Sequence, residues 1–169
     1  MRTKNPVLQR SPAQSLVEFA LILPLLVAVI FGIIELGILF SVYIGMTNSA
    51  REAARAGSVY QYTGTVPQSG DSAVIAAAIA TIDQQRTQYI GQIITDTINP
   101  LINPTTELIV TVSYINIKSD VLPENIYRAG DVVAVQLEHD HPLFFGLLGP
   151  KQIHVKATSS MRIEPGGKP

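Results

Sequence analysis

Glu138-His139-Asp140-His141 is the one stretch of this sequence where several metal-ligand side chains stand together. Imidazole nitrogens and carboxylate oxygens bind divalent ions, and a closed site needs three or four of them held by surrounding hydrogen bonds. On an extended strand His139 and His141 point to the same side, and His154 is the remaining imidazole. The plainer reading is a polar strand end that runs into a turn at Pro142, and it is the expectation adopted here: no metal site and no cofactor. The sequence has no Gly-x-Ser-x-Gly elbow, no phosphate-cradling Gly-rich loop, no His-Glu-x-x-His and no dinucleotide turn. It has no cysteine, which removes thiol nucleophiles, disulfides and Cys-based zinc sites. No catalytic residue is expected, and the chain is not expected to be an enzyme.

Two other carboxylates stand where an acid is costly. From Phe19 to Met46 the only charged residue is Glu35, and Glu18 sits at the edge of that run. On a helix they are about 25 Å apart along the axis, so they cannot serve one site. An acid inside lipid marks a functional position by default. Glu18 is either paired or a helix-start acid at the interface, favoured by the dipole. Glu35 either pairs with another subunit or lies near the far headgroups.

The element that must position both acids is a helix over residues 14–57. Its apolar run of about 28 residues exceeds the roughly 20 needed to cross a bilayer, and a helix satisfies its own backbone hydrogen bonds in lipid. Pro24 removes a backbone donor, so a bend is expected there. Residues 1–13 carry Arg2, Lys4 and Arg10 and no acid. The positive-inside rule holds such a leader in the cytoplasm and puts the C-terminal domain outside. The expected protein is a single-pass protein of the cytoplasmic membrane, with lipid as one partner. A cleaved secretory signal would want an apolar core of about 7–15 residues before a small-x-small site; Ala54-Arg55-Ala56 has that form, but the run before it is too long.

Ala13-Gln14-Ser15-Leu16-Val17-Glu18-Phe19 resembles the class III signal of type IV prepilins and of the related tight-adherence (Tad/Flp) pilus proteins. The resemblance continues through VEFALILPLL, GIIELG and NSAREAARAG, which look like the N-terminal signature of the TadE-like family of pilin-like minor pseudopilins. It implies that a prepilin peptidase cuts between Ala13 and Gln14, where Ala stands in place of the usual Gly. It implies assembly roles for Glu18, Phe19 and Glu35, with Glu18 facing the α-amino group of a neighbouring subunit. The implied partners are the peptidase, other pilin-like subunits and the Tad inner-membrane platform. The implied function is pilus biogenesis for surface attachment, with possible entry into the pilus. An alternative is a membrane-tethered extracytoplasmic binding module that never enters a filament.

Beyond the apolar run, Ala50, Ala54 and Gly57 share one helix face, while Arg51 and Arg55 stand on another. Glu52 precedes Arg55 by three for a local ion pair. The small face either packs on the chain's own domain or, with Ala50, Arg51, Ala54 and Arg55, forms a docking face for similar helices. Gly57 suits a helix stop. Residues 58–70 read as a linker, and 71–169 as the exported domain.

In that domain Asp71 is a candidate N-cap, and Val74, Ile75, Ala78, Ile79, Ile82 and Arg86 recur at helical spacing over 72–90, with a continuation through Ile93-Ile94 left open before Asn99-Pro100. Period-two alternation predicts strands at 107–117, 132–139 and 153–163. The fold class is α+β: a long N-terminal transmembrane helix, then one helix packed on a three-stranded antiparallel sheet. The connection HDHPLFFGLLGP is too apolar for a solvated tip: it either tucks against the domain core or touches the membrane or a partner, with Phe144 and Phe145 as the candidate contact residues. With a net charge of −1 and no basic block, no nucleic acid partner is expected.

Overall fold

A computed structural model describes residues 12–64, 71–98, 100–102, 107–115, 128–143 and 152–164. Its first element, α1 (Pro12–Ser58), is one continuous helix that carries Pro24 in its interior. At 1.5 Å per residue it is about 70 Å long. It is the one described helix long and apolar enough to cross a membrane. Its two ends live in different surroundings. Leu16, Phe19, Leu21, Leu25 and Phe40 are exposed, whereas Val42, Met46, Ala50, Ala53 and Ala54 are fully buried. The second set repeats at three- and four-residue steps, the stripe by which a helix seats on a core.

The remaining elements are α2 (Ser72–Thr97), β1 (Leu108–Ile115), β2 (Val132–Pro142) and β3 (Gln152–Arg162). The strands form an antiparallel sheet in the order β1-β2-β3, so the expected α+β fold with a three-stranded antiparallel sheet is present. In register, Val112 faces Val135 and Leu137 faces Ala157. Val133, Val135, Leu137, Val155 and Ala157 point inward and join Ile90, Ile94 and the buried stripe of α1 in one core. The sheet therefore carries two helices: α2, as the spacing predicts, and the C-terminal part of α1, which lies along β2 and β3.

Several boundaries differ from the sequence reading for local reasons. The second helix runs on to Thr97 because Ile90 and Ile94 continue its buried face. Asp71 does occupy the N-cap with extended backbone, but its side chain makes no capping hydrogen bond; its carbonyl accepts from Val74 and Ile75 instead. Gly57 lies inside the last turn of α1 rather than ending it. A Cβ there would meet Ile90 Cδ1 at 2.6 Å, so this glycine permits the close crossing of α1 and α2. β2 extends past His139 to Pro142, which carries His141 into the sheet.

The chain direction sets which end of the domain faces which part of α1. Glu164 N–H donates to the Ser58 carbonyl at 3.0 Å, fixing the end of β3 near the top of α1. The start of β3, Ile153 to Lys156, lies against Leu36, Leu39, Phe40 and Tyr43. The domain thus leaves α1 at its C-terminal end and folds back beside it toward the exposed apolar half.

Candidate functional site

Ala13 and Gln14 lie in the first turn of α1 and are exposed. The Gln14 amide donates to Glu18 across one helical turn at 3.3 Å. Glu18 and Phe19 are both exposed, Phe19 at 59%, and among the described residues the domain packs on the other half of the helix. A carboxylate and an aromatic ring side by side on a bare apolar helix are presented outward, to lipid or to another molecule.

Glu35 stands one helical turn before Leu39, which packs on the edge of the core, and it is half-buried. Here α1 meets the end of the β2–β3 hairpin and forms a groove of about 720 Å³ between Leu36, Phe40 and Tyr43 on one side and Ile153 and Val155 on the other. Within the sheet at this level lie His139 and His141, only 3% and 5% exposed, with ring centroids 5.6 Å apart. His139 Nδ1 is 3.0 Å from the Glu107 carbonyl oxygen. Neither nitrogen of His141 has a hydrogen-bond partner. Burial first, then the His139 ring beside it, holds His141 below its ordinary value of 6.5, while Glu35 and Glu107 act in the opposite direction.

His154 is turned to the other face of the sheet, where its Nδ1 lies 2.7 Å from Asp140. The three imidazoles do not converge, and no group of ligands suited to a metal occurs among the described residues. The outer face instead carries cross-strand charge pairs, with Lys156 3.3 Å from Glu138 in directly opposed positions.

The small face of α1 is taken up by the chain itself. Ala50 and Ala54 are fully buried in the core, because the sheet needs a helix without bulk to approach closely. That leaves Arg51 and Arg55 facing outward. Arg55 Nη2 is 2.6 Å from Glu52, the pairing the spacing predicts; that hydrogen bond lowers the Glu52 carboxyl and raises the Arg55 guanidinium. Phe144 and Phe145 lie outside the described residues.

One cluster was only half legible. The helical spacing puts Arg86 on the apolar face of α2, and it is indeed buried, at 1% exposure. Burial lowers its pKa, yet the charge has partners. Its guanidinium lies over the rings of Tyr60 and Tyr114 at 5.9 and 5.6 Å and 3.5 Å from Asp83. Asp83 also accepts from Arg128 at 3.0 and 2.8 Å. Burial is the largest single influence and opposes the Arg128 charge, but the hydrogen bonds and charges of Asp83 and Asp131 together outweigh it and raise that pKa. Tyr114, whose own pKa is raised by burial, donates to the Asp83 carbonyl. The lone apolar-face arginine was a signal; its partners Asp83, Tyr60 and Tyr114, two of them outside α2, were not.

No curated protein and no solved structure matches the chain. A family model does: its match runs over residues 13–55 and stays within α1. The matched stretch carries the outward Glu18 and Phe19 of α1, and the match is consistent with a TadE-like protein associated with the Tad pilus system.

Proposed function

We propose that this chain is a minor pseudopilin of Tad/Flp-type pilus biogenesis, with an assembly role rather than a catalytic one. The observation that carries the reading is the pairing of a TadE-like match over residues 13–55 with a Glu18-Phe19 site exposed on α1. In this reading a prepilin peptidase removes residues 1–13 on the cytoplasmic side, and α1 keeps the protein in the bilayer with the domain outside. The new α-amino group of one subunit then meets Glu18 of another, which offsets the cost of placing that carboxylate in lipid. Other pilin-like subunits and the Tad inner-membrane platform are the partners, and adhesion through the pilus is the process served.

The deciding measurement is the N-terminus of the membrane-extracted protein, by intact mass and terminal sequencing. A start at Gln14 is expected. A start at Met1 would favour a tethered binding module outside any filament. Glu18→Ala is expected to insert normally while co-purifying less with pilin-like subunits; unchanged co-assembly in that variant would remove the role given to Glu18.

A further inference from the structure

β1 is an edge strand of a kind that folded proteins seldom leave open. Its sequence over Leu108–Ile115, LIVTVSYI, has no charged residue and no proline. It pairs with β2 through consecutive register positions without a bulge, and among the described residues β2 is its only neighbour in the sheet. Ile109, Val110 and Ile115 are 61%, 39% and 54% exposed. Edges are ordinarily guarded by charges, prolines or bulges, because they present a row of unpaired N–H and C=O groups. β3, the opposite edge, has such guards in His154, Lys156 and Arg162. β1 also has a groove beside it. Tyr114 ties the strand to α2, through the Thr87 hydroxyl at 3.0 Å and the Asp83 carbonyl at 3.2 Å. Towards the start of the strand the two elements stand apart. There Gln88, Gly91, Gln92 and Thr95 of α2 and Val110 of β1 line a groove of about 760 Å³. A Cβ at Gly91 would meet no atom within 4 Å.

We propose that β1 is a recognition edge that takes an extended strand of another protein into the sheet. Backbone hydrogen bonds to β1 supply the pairing, and alternate side chains of the incoming strand enter the groove beside Gly91. The groove offers amides, a hydroxyl and apolar carbon, with Asp96 its one charged residue among those described. The strand that fits is therefore uncharged, with small or β-branched side chains at alternate positions. A second copy of this chain does not supply it. β2 is the central strand, and β3 carries charges. β1 runs in the direction of α1, as β3 does from the level of Leu36–Tyr43 to Ser58. Identical edges pair about a two-fold axis only antiparallel. That would set two α1 helices head to tail, whereas copies anchored by α1 in one membrane stand side by side. The edge itself is independent of the pilus reading.

The test uses the full chain, one copy per lipid nanodisc, with amide hydrogen exchange of β1 read by NMR. The probe is a peptide copying Leu108–Ile115 between terminal lysines, which free in solution can pair in either direction. Every second β1 amide should exchange quickly in the free chain and slow on the order of tenfold or more with the peptide. Slow exchange of all β1 amides before peptide is added would mean that the chain covers its own edge, and overturns the proposal. The same peptide N-methylated throughout has no donors and should give no protection. Equal protection would reduce the contact to apolar adhesion and also overturns it. Gly91→Leu fills the groove and improves helix propensity, and Thr111→Lys puts a charge on the exposed edge. Each should weaken the peptide's effect about tenfold without lowering the melting temperature, while Thr158→Lys on β3 leaves it intact. Binding that is indifferent to both Gly91→Leu and Thr111→Lys counts against the site.

Discussion

The buried histidines and arginines carry the sharpest consequences at the scale of single residues. His141 is held below 6.5 by burial and by His139. A base whose folded pKa is depressed binds fewer protons folded than unfolded, so stability falls as pH drops below about 6.5. We expect thermal unfolding of the intact protein to shift downward between neutral and mildly acidic pH, and His141→Phe to flatten that slope. Asp83 is the anion shared by Arg86 and Arg128. Removing it takes the anion away from a guanidinium that is 1% exposed, so Asp83→Ala should destabilise by about 3 kcal/mol, read as a lowered denaturant midpoint. Arg51→Ala, on the open side of α1, should stay within about 0.5 kcal/mol and serves as the control. The spacing of Arg86 announced a residue on an apolar face, but the tyrosines that accept its charge come from elements whose placement depends on the whole fold.

At the scale of elements the seam between α1 and the rest of the domain decides the outcome. Gly57 sits where a Cβ would lie 2.6 Å from Ile90. Gly57→Ala forces a fully buried side chain to shift and should cost about 1–3 kcal/mol, measurable as a fall in melting temperature. Much of the element layout was legible beforehand. Alternation placed all three strands and their inward faces, Val133, Val135 and Leu137 among them, because a half-buried strand must repeat every two residues. The spacing of Ile75, Ile82 and Arg86 placed the start and the buried face of α2. Less could be read where tertiary contact overrides local signals. Gly57 looked like a stop because glycine ends helices, whereas here it admits a neighbouring helix. Ala50 and Ala54 left own-domain packing, the reading their small face favours, and subunit docking both open; the sheet lying on them separates the two.

For the whole molecule, α1 is two things in one covalent rod: an apolar half exposed from Ala13 onward and a core helix from Val42. The domain therefore cannot be cut from its helix at the linker. A chain beginning near Leu36 should fold with its core intact. One beginning near Gly57, as secretory cleavage would leave it, lacks Val42, Met46, Ala50, Ala53 and Ala54 and should show no cooperative unfolding transition. Circular dichroism melts of the two truncations check this directly. The way the domain folds back from Ser58 along α1 also has a mechanical side. Tension applied at the C-terminal end of α1 and resisted at its N-terminal half runs straight down the helix, through its ladder of backbone hydrogen bonds. The sheet and α2 hang beside that line like a sleeve on a rod, carried along with it while bearing little of the load.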